Sequence, residues 1–252
     1  MPFGLLKYGL ARTYPGKNLF GESRALKQSY DVVVIGAGGH GAACAYYLAK
    51  EYGITNVAVL DKGYLGGGNT ARNTAVLRSN YLTEEGVAFY KASLELYKSL
   101  SNELGLNIMF EQRGQLTLAH SDAAVRNLRW RAEVNQHLGV RSELMFNDEI
   151  AQMVPHLRMD TAARYPILAG LWHADGGTAR HDAVVWGYAK EAAAQGVEFH
   201  QLTEATGIDI DHGKVTGVRT TRGNISCGKV IQAVAGSSSV VGNMAGIKLP
   251  IH

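Results

Sequence analysis

The sequence is poor in cysteine and has no long apolar run. Cys44 and Cys227 are the only two cysteines in 252 residues, and neither stands at a metal-ligand spacing such as CxxC. This scarcity favours a reducing compartment. The first residues lack the apolar run of a secretory signal, and no stretch of 18 apolar residues follows, so we expect a cytoplasmic protein with no membrane partner.

The charge balance and the histidine spacings exclude further classes. The 25 basic and 22 acidic residues give a net charge of +3, and the basic residues are scattered, so no nucleic-acid partner is expected. The histidines lack spacings such as HxxxH, so no metal site is expected either. Hydrophobic residues at 46% and charged residues at 19% are typical of a globular protein rather than of a disordered, fibrous or coiled-coil one.

Glycine is abundant instead, at 30 residues with no triplet period, which predicts many turns and close backbone approaches. A buried β-branched strand is predicted at 31–35, followed by a helix at 41–52 and a second buried strand at 57–60. These three segments form a βαβ unit. The remaining expectations are helices at 84–104, 122–138, 148–153 and 186–194, a strand-turn-strand at 108–119, a strand at 197–202, a β-meander from 206 and a sheet strand at 229–234.

A glycine-rich loop joins the first strand to the first helix. Its sequence is Gly36-Ala37-Gly38-Gly39-His40-Gly41, a GxGxxG in the context where glycines let the backbone approach a pyrophosphate at a helix N-terminus. Asp61 ends the second strand, 20 residues after Gly41, where a carboxylate can accept hydrogen bonds from ribose hydroxyls. The pattern predicts dinucleotide binding. The alternative is a glycine-rich turn with an incidental surface acid.

A second loop, at 66–81, carries three glycines, two arginines and several hydroxyl or amide groups. Its amides and cations are suited to binding phosphate or carboxylate. The alternative is a solvated basic turn. The candidate cofactor-binding residues in this loop are Gly68, Asn69, Thr70, Arg72, Asn73 and Thr74.

Taken together, these segments resemble the β subunits of heterotetrameric sarcosine oxidase, within the D-amino-acid-oxidase-like flavoprotein superfamily. The resemblance rests on YDVVVIGAGGHGAACAYYLAKEYGITNVAVLDKG, LGGGNTARNTAVLRSNYL, FEQRG, RYPILAG and GGTARHDAVVWGYAKEAAAQGV, which follow the family order from about residue 28 to the end. It covers the N-terminal part of the family's length, and roughly the last third or more is absent. Asp61 stands where many relatives carry glutamate, which keeps the carboxylate.

The resemblance implies an α/β fold in which a Rossmann-like FAD-binding domain is interrupted by a mixed β-sheet substrate domain. The expected organisation is an N-terminal arm at 1–29, the FAD-binding domain at 30–105 and 166–252, and the substrate domain at 106–165. The family also suggests FAD contacts at Gly36, Gly38, Gly39, Gly41, Asp61, Lys62, Ala205, Ala235 and Gly236.

The implied activity is oxidative demethylation of sarcosine, with noncovalent FAD and with FMN bonded to a histidine. The family's flavinylated histidine falls at His181, and its substrate-carboxylate arginine falls at Arg78. The implied partners are alpha, gamma and delta subunits, sarcosine, oxygen and, through a partner subunit, tetrahydrofolate.

On the residues alone, His181 could be an ordinary residue at the start of a helix, with Asp182 stabilising the first turn. Arg78 could form a surface ion pair. The functional alternatives are another FAD-dependent amine or D-amino-acid dehydrogenase, or a non-catalytic flavin-binding fragment.

Overall fold

The computed structural model describes residues 25–251, so most of the predicted N-terminal arm lies outside the described residues. The helices are α1 (Gly39–Tyr52), α2 (Glu84–Glu103), α3 (Asp122–His137), α4 (Asn147–Met153), α5 (His181–Ala194) and α6 (Ser238–Met244), with 3-10 turns at Asn69–Arg72 and Ala235–Ser237. The strands are β1 (Ser29–Ile35), β2 (Val57–Leu60), β3 (Val76–Leu77), β4 (Gln115–Ala119), β5 (Ser142–Met145), β6 (Ala169–His173), β7 (Gly177–Thr178), β8 (Glu198–His200), β9 (Ala205–Asp211), β10 (Lys214–Thr220) and β11 (Gly223–Gln232).

The chain divides into two compact units. The first comprises the residues up to Leu65 and from Ala189 onward, and the second comprises Gly66–Tyr188. The sequence-based division at 105 and 165 assigns functions to segments, and that assignment stays a prediction.

A six-stranded sheet forms the centre of the first unit, in the order β8-β2-β1-β11-β10-β9. The first four strands are parallel neighbours. Val33, Val34 and Val59 are completely buried, as a β-branched strand covered on both faces requires. The small residues of α1, including Ala42 and Ala45, are also buried. The predicted βαβ unit is therefore confirmed.

One expectation for this sheet is corrected. The strand predicted at 229–234 is not separate from the predicted meander, because 223–232 is one continuous strand, β11. Its first residues pair antiparallel with β10 and its later residues pair parallel with β1. A single strand thereby joins the antiparallel meander to the parallel sheet.

The second unit contains an antiparallel sheet in the order β4-β6-β5 and a two-stranded ribbon of β3 and β7. Helix α3 packs on the three-stranded sheet through Leu128 and Ala132, which contact Ala169 and Leu171 in one apolar cluster. The helix starts where the side chain of Ser121 accepts a hydrogen bond from the Ala124 N–H, as expected for an N-cap serine. These contacts fix which face of α3 turns inward.

The other differences from the predicted elements have local causes. No strand forms at 108–110, because the Ile108 carbonyl accepts the Arg180 N–H at 2.8 Å and Glu111 forms only an isolated bridge with Thr178. Helix α5 begins at His181 rather than at 186. Strand β8 ends at His200 because the chain turns at Leu202, whose φ is +51°. The short strands β3, β5, β6 and β7 and helix α6 were not predicted. None of the described helices is long and apolar enough to cross a membrane.

Candidate functional site

The glycine-rich loop of the first unit connects the carboxyl end of β1 to α1. Gly36 has a φ of +106°, and a Cβ there would lie 2.3 Å from the carbonyl oxygen of Ala233. A Cβ on Gly41 would lie 1.9 Å from the Gly36 carbonyl oxygen. Both positions therefore demand glycine, because no side chain fits between these backbone segments.

The N-terminus of α1 has no negative charge of its own. Gly38 is the N-cap residue and has no side chain to accept a hydrogen bond, and the first turn contains no acidic residue. A helix N-terminus carries a partial positive charge and N–H groups without helical acceptors. This end of α1 is suited to a phosphate group, as the sequence predicts.

Asp61 braces this loop from the end of β2. Its Oδ2 accepts the Ala37 N–H at 2.8 Å, and its Oδ1 accepts the Gly63 N–H at 2.8 Å. Each carboxylate oxygen keeps a further lone pair, and the residue is partly exposed. Asp61 thus holds the loop and can still accept hydrogen bonds from a ligand.

The remaining candidates of the first unit lie in different surroundings. The Ala233 N–H donates to the Ile35 carbonyl at 2.8 Å, which brings the turn containing Ala235 and Gly236 to the same sheet edge as the glycine loop. Ligands of open α/β sheets bind in such a crevice at the carboxyl ends of strands. Ala205 is instead part of the apolar core, and Lys62 is exposed. Their roles as FAD contacts stay predictions.

In the second unit, the loop after Gly66 is held together by its own side chains. The Arg72 guanidinium donates to the Gly67 and Gly68 carbonyls. The Asn73 amide donates to the Thr70 carbonyl at 2.6 Å and its oxygen accepts the Ala75 N–H at 2.7 Å. Arg72 and Asn73 therefore shape this loop, and their predicted cofactor contacts, with those of Asn69 and Thr74, stay predictions.

Arg78 lies just beyond this loop, after β3. Its Nη1 donates to Asn80 Oδ1 at 3.0 Å, and its guanidinium carbon lies 4.5 Å from the Tyr81 ring centroid. Within residues 25–251 Arg78 makes no ion pair with a carboxylate, so the alternative of a surface ion pair finds no partner there. A partly exposed guanidinium with free donors is suited to binding an anion.

His173 positions the segment after Arg78, and sequence reasoning missed it. Its Nε2 accepts the Ser79 N–H at 3.2 Å, and its Nδ1 lies 3.0 Å from the Arg141 carbonyl oxygen. These partners assign the proton to Nδ1. Burial lowers the pKa of this histidine, which favours the neutral ring that the Ser79 N–H requires. A lone histidine on a strand gives no signal of this role in the sequence.

His181 is the first residue of α5. Within the described chain its Nδ1 is buried without a hydrogen-bond partner. Beside it, Arg180 donates from Nε to Asp182 Oδ1 at 2.8 Å, and the same oxygen accepts the Ala183 N–H. The pairing with Arg180 lowers the pKa of Asp182 to about 2. Asp182 therefore accepts a hydrogen bond in the first turn, a contact compatible with the alternative interpretation of this segment, and the flavin attachment at His181 stays a prediction.

The backbone before His181 is fixed by close contacts. The Arg180 and Glu111 N–H groups donate to the carbonyls of Ile108 and Thr178. A Cβ on Gly177 would lie 2.5 Å from the Glu111 carbonyl oxygen. In the structure this glycine permits the approach of another backbone segment of the same unit. The segment therefore presents His181 from a rigid position.

The structure groups the candidates by unit. It brings Gly36, Gly38, Gly41 and Asp61 together in the first unit, and it brings Arg78 together with Asn80 in the second. Among the described residues no group of three or more histidine, cysteine, aspartate or glutamate side chains is arranged to hold a metal ion. The glycine loop with Asp61 is suited to a dinucleotide, and the Arg78 guanidinium is suited to an anion.

Comparison with known proteins agrees with this geometry. The chain is 48% identical over 226 residues to the sarcosine oxidase β subunit of Rhodobacter capsulatus and 49% identical to that of Rhizobium meliloti, covering 90% of this chain and 54% of each relative. It thus spans about half the length of these curated relatives. The structure of L-proline dehydrogenase from P. horikoshii matches with a TM-score of 0.80 and 31% identity, over 90% of this chain and 58% of that one. The model of the family described as FAD dependent oxidoreductase matches residues 31–252, and the chain belongs to that family.

Proposed function

We propose that this chain is the FAD-binding part of a sarcosine oxidase β subunit and acts in the oxidative demethylation of sarcosine to glycine. The observation that carries the proposal is the identity of 48–49% to bacterial sarcosine oxidase β subunits along 90% of the chain. When bound, FAD supplies the acceptor for the hydride equivalent that leaves the substrate methyl carbon. The protein supplies binding, orientation and charge.

The first unit provides the groups that would hold FAD. The N-terminus of α1 and the glycine loop suit the pyrophosphate, and the further lone pairs of Asp61 suit the ribose hydroxyls. Because Gly36 and Gly41 leave no room for side chains, the backbone of the loop packs closely against its neighbours. Gly38 is the N-cap residue of α1, and we expect a side chain there to interfere with the binding of the pyrophosphate.

Arg78 is the proposed ligand of the sarcosine carboxylate. Its guanidinium has donors that neither Asn80 nor the Tyr81 ring uses, and a planar guanidinium can bind a carboxylate through two parallel hydrogen bonds. His173 fixes the adjacent Ser79, so the arginine extends from a held backbone. The role of Arg78 is to orient the substrate.

His181 is the proposed attachment site of covalent FMN. Its Nδ1 is buried. Its Nε2 has no hydrogen-bond partner among the described residues, and it is not one of their buried unpartnered atoms. Nε2 is therefore the nitrogen proposed to form the bond to the flavin. The neutral ring is the form that can act as a nucleophile. Arg180 forms an ion pair with Asp182, so part of its positive charge is neutralised beside the imidazole of His181.

The proposed partners are the alpha, gamma and delta subunits of a hetero-oligomeric sarcosine oxidase. FMN held at His181 would supply electron transfer, and oxygen is the proposed final acceptor, with hydrogen peroxide as the product. The methyl carbon would leave as formaldehyde or pass to tetrahydrofolate on a partner subunit. The runner-up functions are another flavin-dependent amine or D-amino-acid dehydrogenase and a non-catalytic flavin-binding fragment.

The deciding experiment measures oxidation of a substrate panel by the complex of this chain with its partner subunits. We expect peroxide release with sarcosine and much less with L-proline, glycine or D-alanine. A preference for another amine would replace the substrate, and FAD binding without oxidation of any amine would favour the non-catalytic fragment.

The FMN proposal has its own test. After denaturing electrophoresis of the complex, flavin fluorescence should stay with this chain in the wild type and in His156→Ala, which replaces an exposed histidine, and should be lost in His181→Ala. Fluorescence that persists in His181→Ala would place the attachment at another residue.

A further inference from the structure

Two arginines of the second unit carry like charges and have no acidic partner among the described residues. Arg78 follows β3, and Arg131 lies on α3 close enough for the positive charge of Arg78 to lower its pKa, after the larger effect of burial. No ion pair connects either guanidinium to a carboxylate within residues 25–251. Like charges at a partly buried position are unfavourable unless an anion lies between them.

Two buried donors, one on α3 and one in the segment after Arg78, also lack acceptors within the described chain. The Nε of Arg131 and the Nδ2 of Asn80 are both buried, and neither donates a hydrogen bond within the described chain. Asn80 is completely buried, and its Oδ1 faces the Arg78 guanidinium at 3.0 Å, which assigns the donor to Nδ2. Buried polar groups are almost always satisfied. Donors without acceptors within the described chain, together with two cations, are suited to a negatively charged acceptor.

The surrounding hydrogen bonds hold these groups in fixed positions. Asn135, one helical turn after Arg131 and so on the same face of α3, donates to the Tyr81 carbonyl at 2.6 Å. Its Oδ1 accepts the Ser142 hydroxyl at 2.9 Å. On the other side of Asn80, His173 accepts the Ser79 N–H. The segment 79–81 is thus fixed to α3 at one end and to β6 at the other.

We propose that Arg131, together with Arg78 and Asn80, forms a binding site for a small carboxylate anion. The inference rests on the proposed function in taking Arg78 as the substrate-carboxylate ligand, and it adds a second cation from α3 to the same anion. Both arginines are partly exposed, so a small anion has access. Two guanidiniums and a buried amide match the planar acceptor geometry of a carboxylate.

The test measures the binding of acetate to the 252-residue chain by titration calorimetry at constant ionic strength. Acetamide, which has the same shape without the charge, is the ligand control. We expect acetate to bind and acetamide not to bind, and Arg131→Gln to weaken acetate binding about tenfold, as the loss of a charge-assisted hydrogen bond predicts. The control Arg129→Gln removes an exposed charge from the same helix and should leave acetate binding unchanged.

Stability and charge-retaining variants keep the result interpretable. Without acetate, Arg131→Gln should not unfold at a lower temperature than the wild type, because the substitution removes a like-charge repulsion. Arg131→Lys keeps the charge and should bind acetate with intermediate affinity. Equal acetate affinity in the wild type and Arg131→Gln, or equal losses in Arg129→Gln and Arg131→Gln, would overturn the proposal.

Inorganic phosphate and substrate oxidation separate the remaining possibilities. Phosphate that binds more tightly than acetate, with the same dependence on Arg131, would replace the carboxylate by a phosphoryl ligand and overturn the proposal. Arg131-dependent acetate binding in a complex that oxidises no sarcosine would retain the site and reject the proposed function. Sarcosine oxidation with an unchanged KM in Arg131→Gln would retain the proposed function and reject the role of Arg131 in binding the carboxylate.

Discussion

Asp61 offers a test that separates support of the loop from recognition of a ligand. Its two carboxylate oxygens accept the Ala37 and Gly63 N–H groups, each at 2.8 Å. If Asp61 served only to bind ribose, its replacement would weaken FAD binding and leave the stability of the cofactor-free protein unchanged. The structure predicts that both properties change.

The magnitude for Asp61→Asn follows from the two hydrogen bonds. Asparagine keeps one acceptor oxygen and directs an NH₂ group at the second N–H, so one charge-assisted bond is lost and the other becomes neutral. A hydrogen bond to a charged group contributes about 1.5–3 kcal/mol, and partial exposure favours a net loss of about 2 kcal/mol. For a chain of this size that corresponds to a decrease in Tm of about 4–8 °C.

The assay is thermal unfolding of the cofactor-free chain, with FAD binding measured separately by flavin fluorescence. Asp31→Asn is the control, because Asp31 is an exposed carboxylate on the same sheet and its contact with Asn56 is long, at 3.4 Å. The control should change Tm by less than about 2 °C. An unchanged Tm in Asp61→Asn with weakened FAD binding would refute the bracing role.

Three further predictions address other parts of the chain. Gly41→Ala should abolish FAD retention on gel filtration, because its Cβ would lie 1.9 Å from the Gly36 carbonyl oxygen. The control Gly228→Ala should retain FAD, because its Cβ would have no neighbour nearer than 3.9 Å. Retention of FAD in both variants would contradict the packing argument. Burial lowers the pKa of His173 and of His200, so the unfolded chain binds more protons and the free energy of unfolding should fall as pH decreases below about 6.5. In denaturant titrations between pH 7 and 5, this free energy should decrease less in His173→Gln than in the wild type. An equal decrease in both would show that His173 does not contribute to the pH dependence. Burial and the hydrogen bond to Glu198 raise the pKa of Tyr30 to about 12. Tyr30→Phe should therefore remove the highest-pH step of the ultraviolet phenol titration and lower the unfolding free energy by about 1–3 kcal/mol. An unchanged titration would refute the assignment of this step to Tyr30.

The parts of the fold that the sequence could predict are those in which local pattern and burial coincide. The β-branched run at 31–35 and the apolar run at 57–60 lie in the centre of a parallel sheet, where both faces are covered and the sequence is continuously hydrophobic. Helices α2 and α3 are preceded by the N-cap residues Thr83 and Ser121, whose side chains cap the first turn. In these segments local preference and tertiary packing favour the same structure.

The short strands could not be predicted, because their partners are far away in the sequence. Strand β6 carries an apolar segment with glycine, which gives little periodicity, and it exists because β4 and β5 pair with its two edges. The segment at 108–110 is the opposite case. Its β-branched and apolar residues favour a strand, yet no strand forms, because the Ile108 carbonyl accepts a hydrogen bond from the Arg180 N–H. Long-range pairing decided both cases, and no window of sequence contains that information.

The candidate site divides in the same way, because the glycine loop and Asp61 belong to one βαβ segment whereas the surroundings of Arg78 are assembled from three separate stretches. Arg131 follows Trp130 on a helix with other exposed arginines, and nothing in its local sequence distinguishes it from Arg129. Only the packing of α3 against the segment 79–81, through Asn135 and the Tyr81 carbonyl, places its charge near Arg78. A partly exposed guanidinium whose Nε is buried, with no carboxylate partner within residues 25–251, is a costly arrangement. That cost is the physical reason to look for an anionic ligand at Arg131 and not at its exposed neighbour.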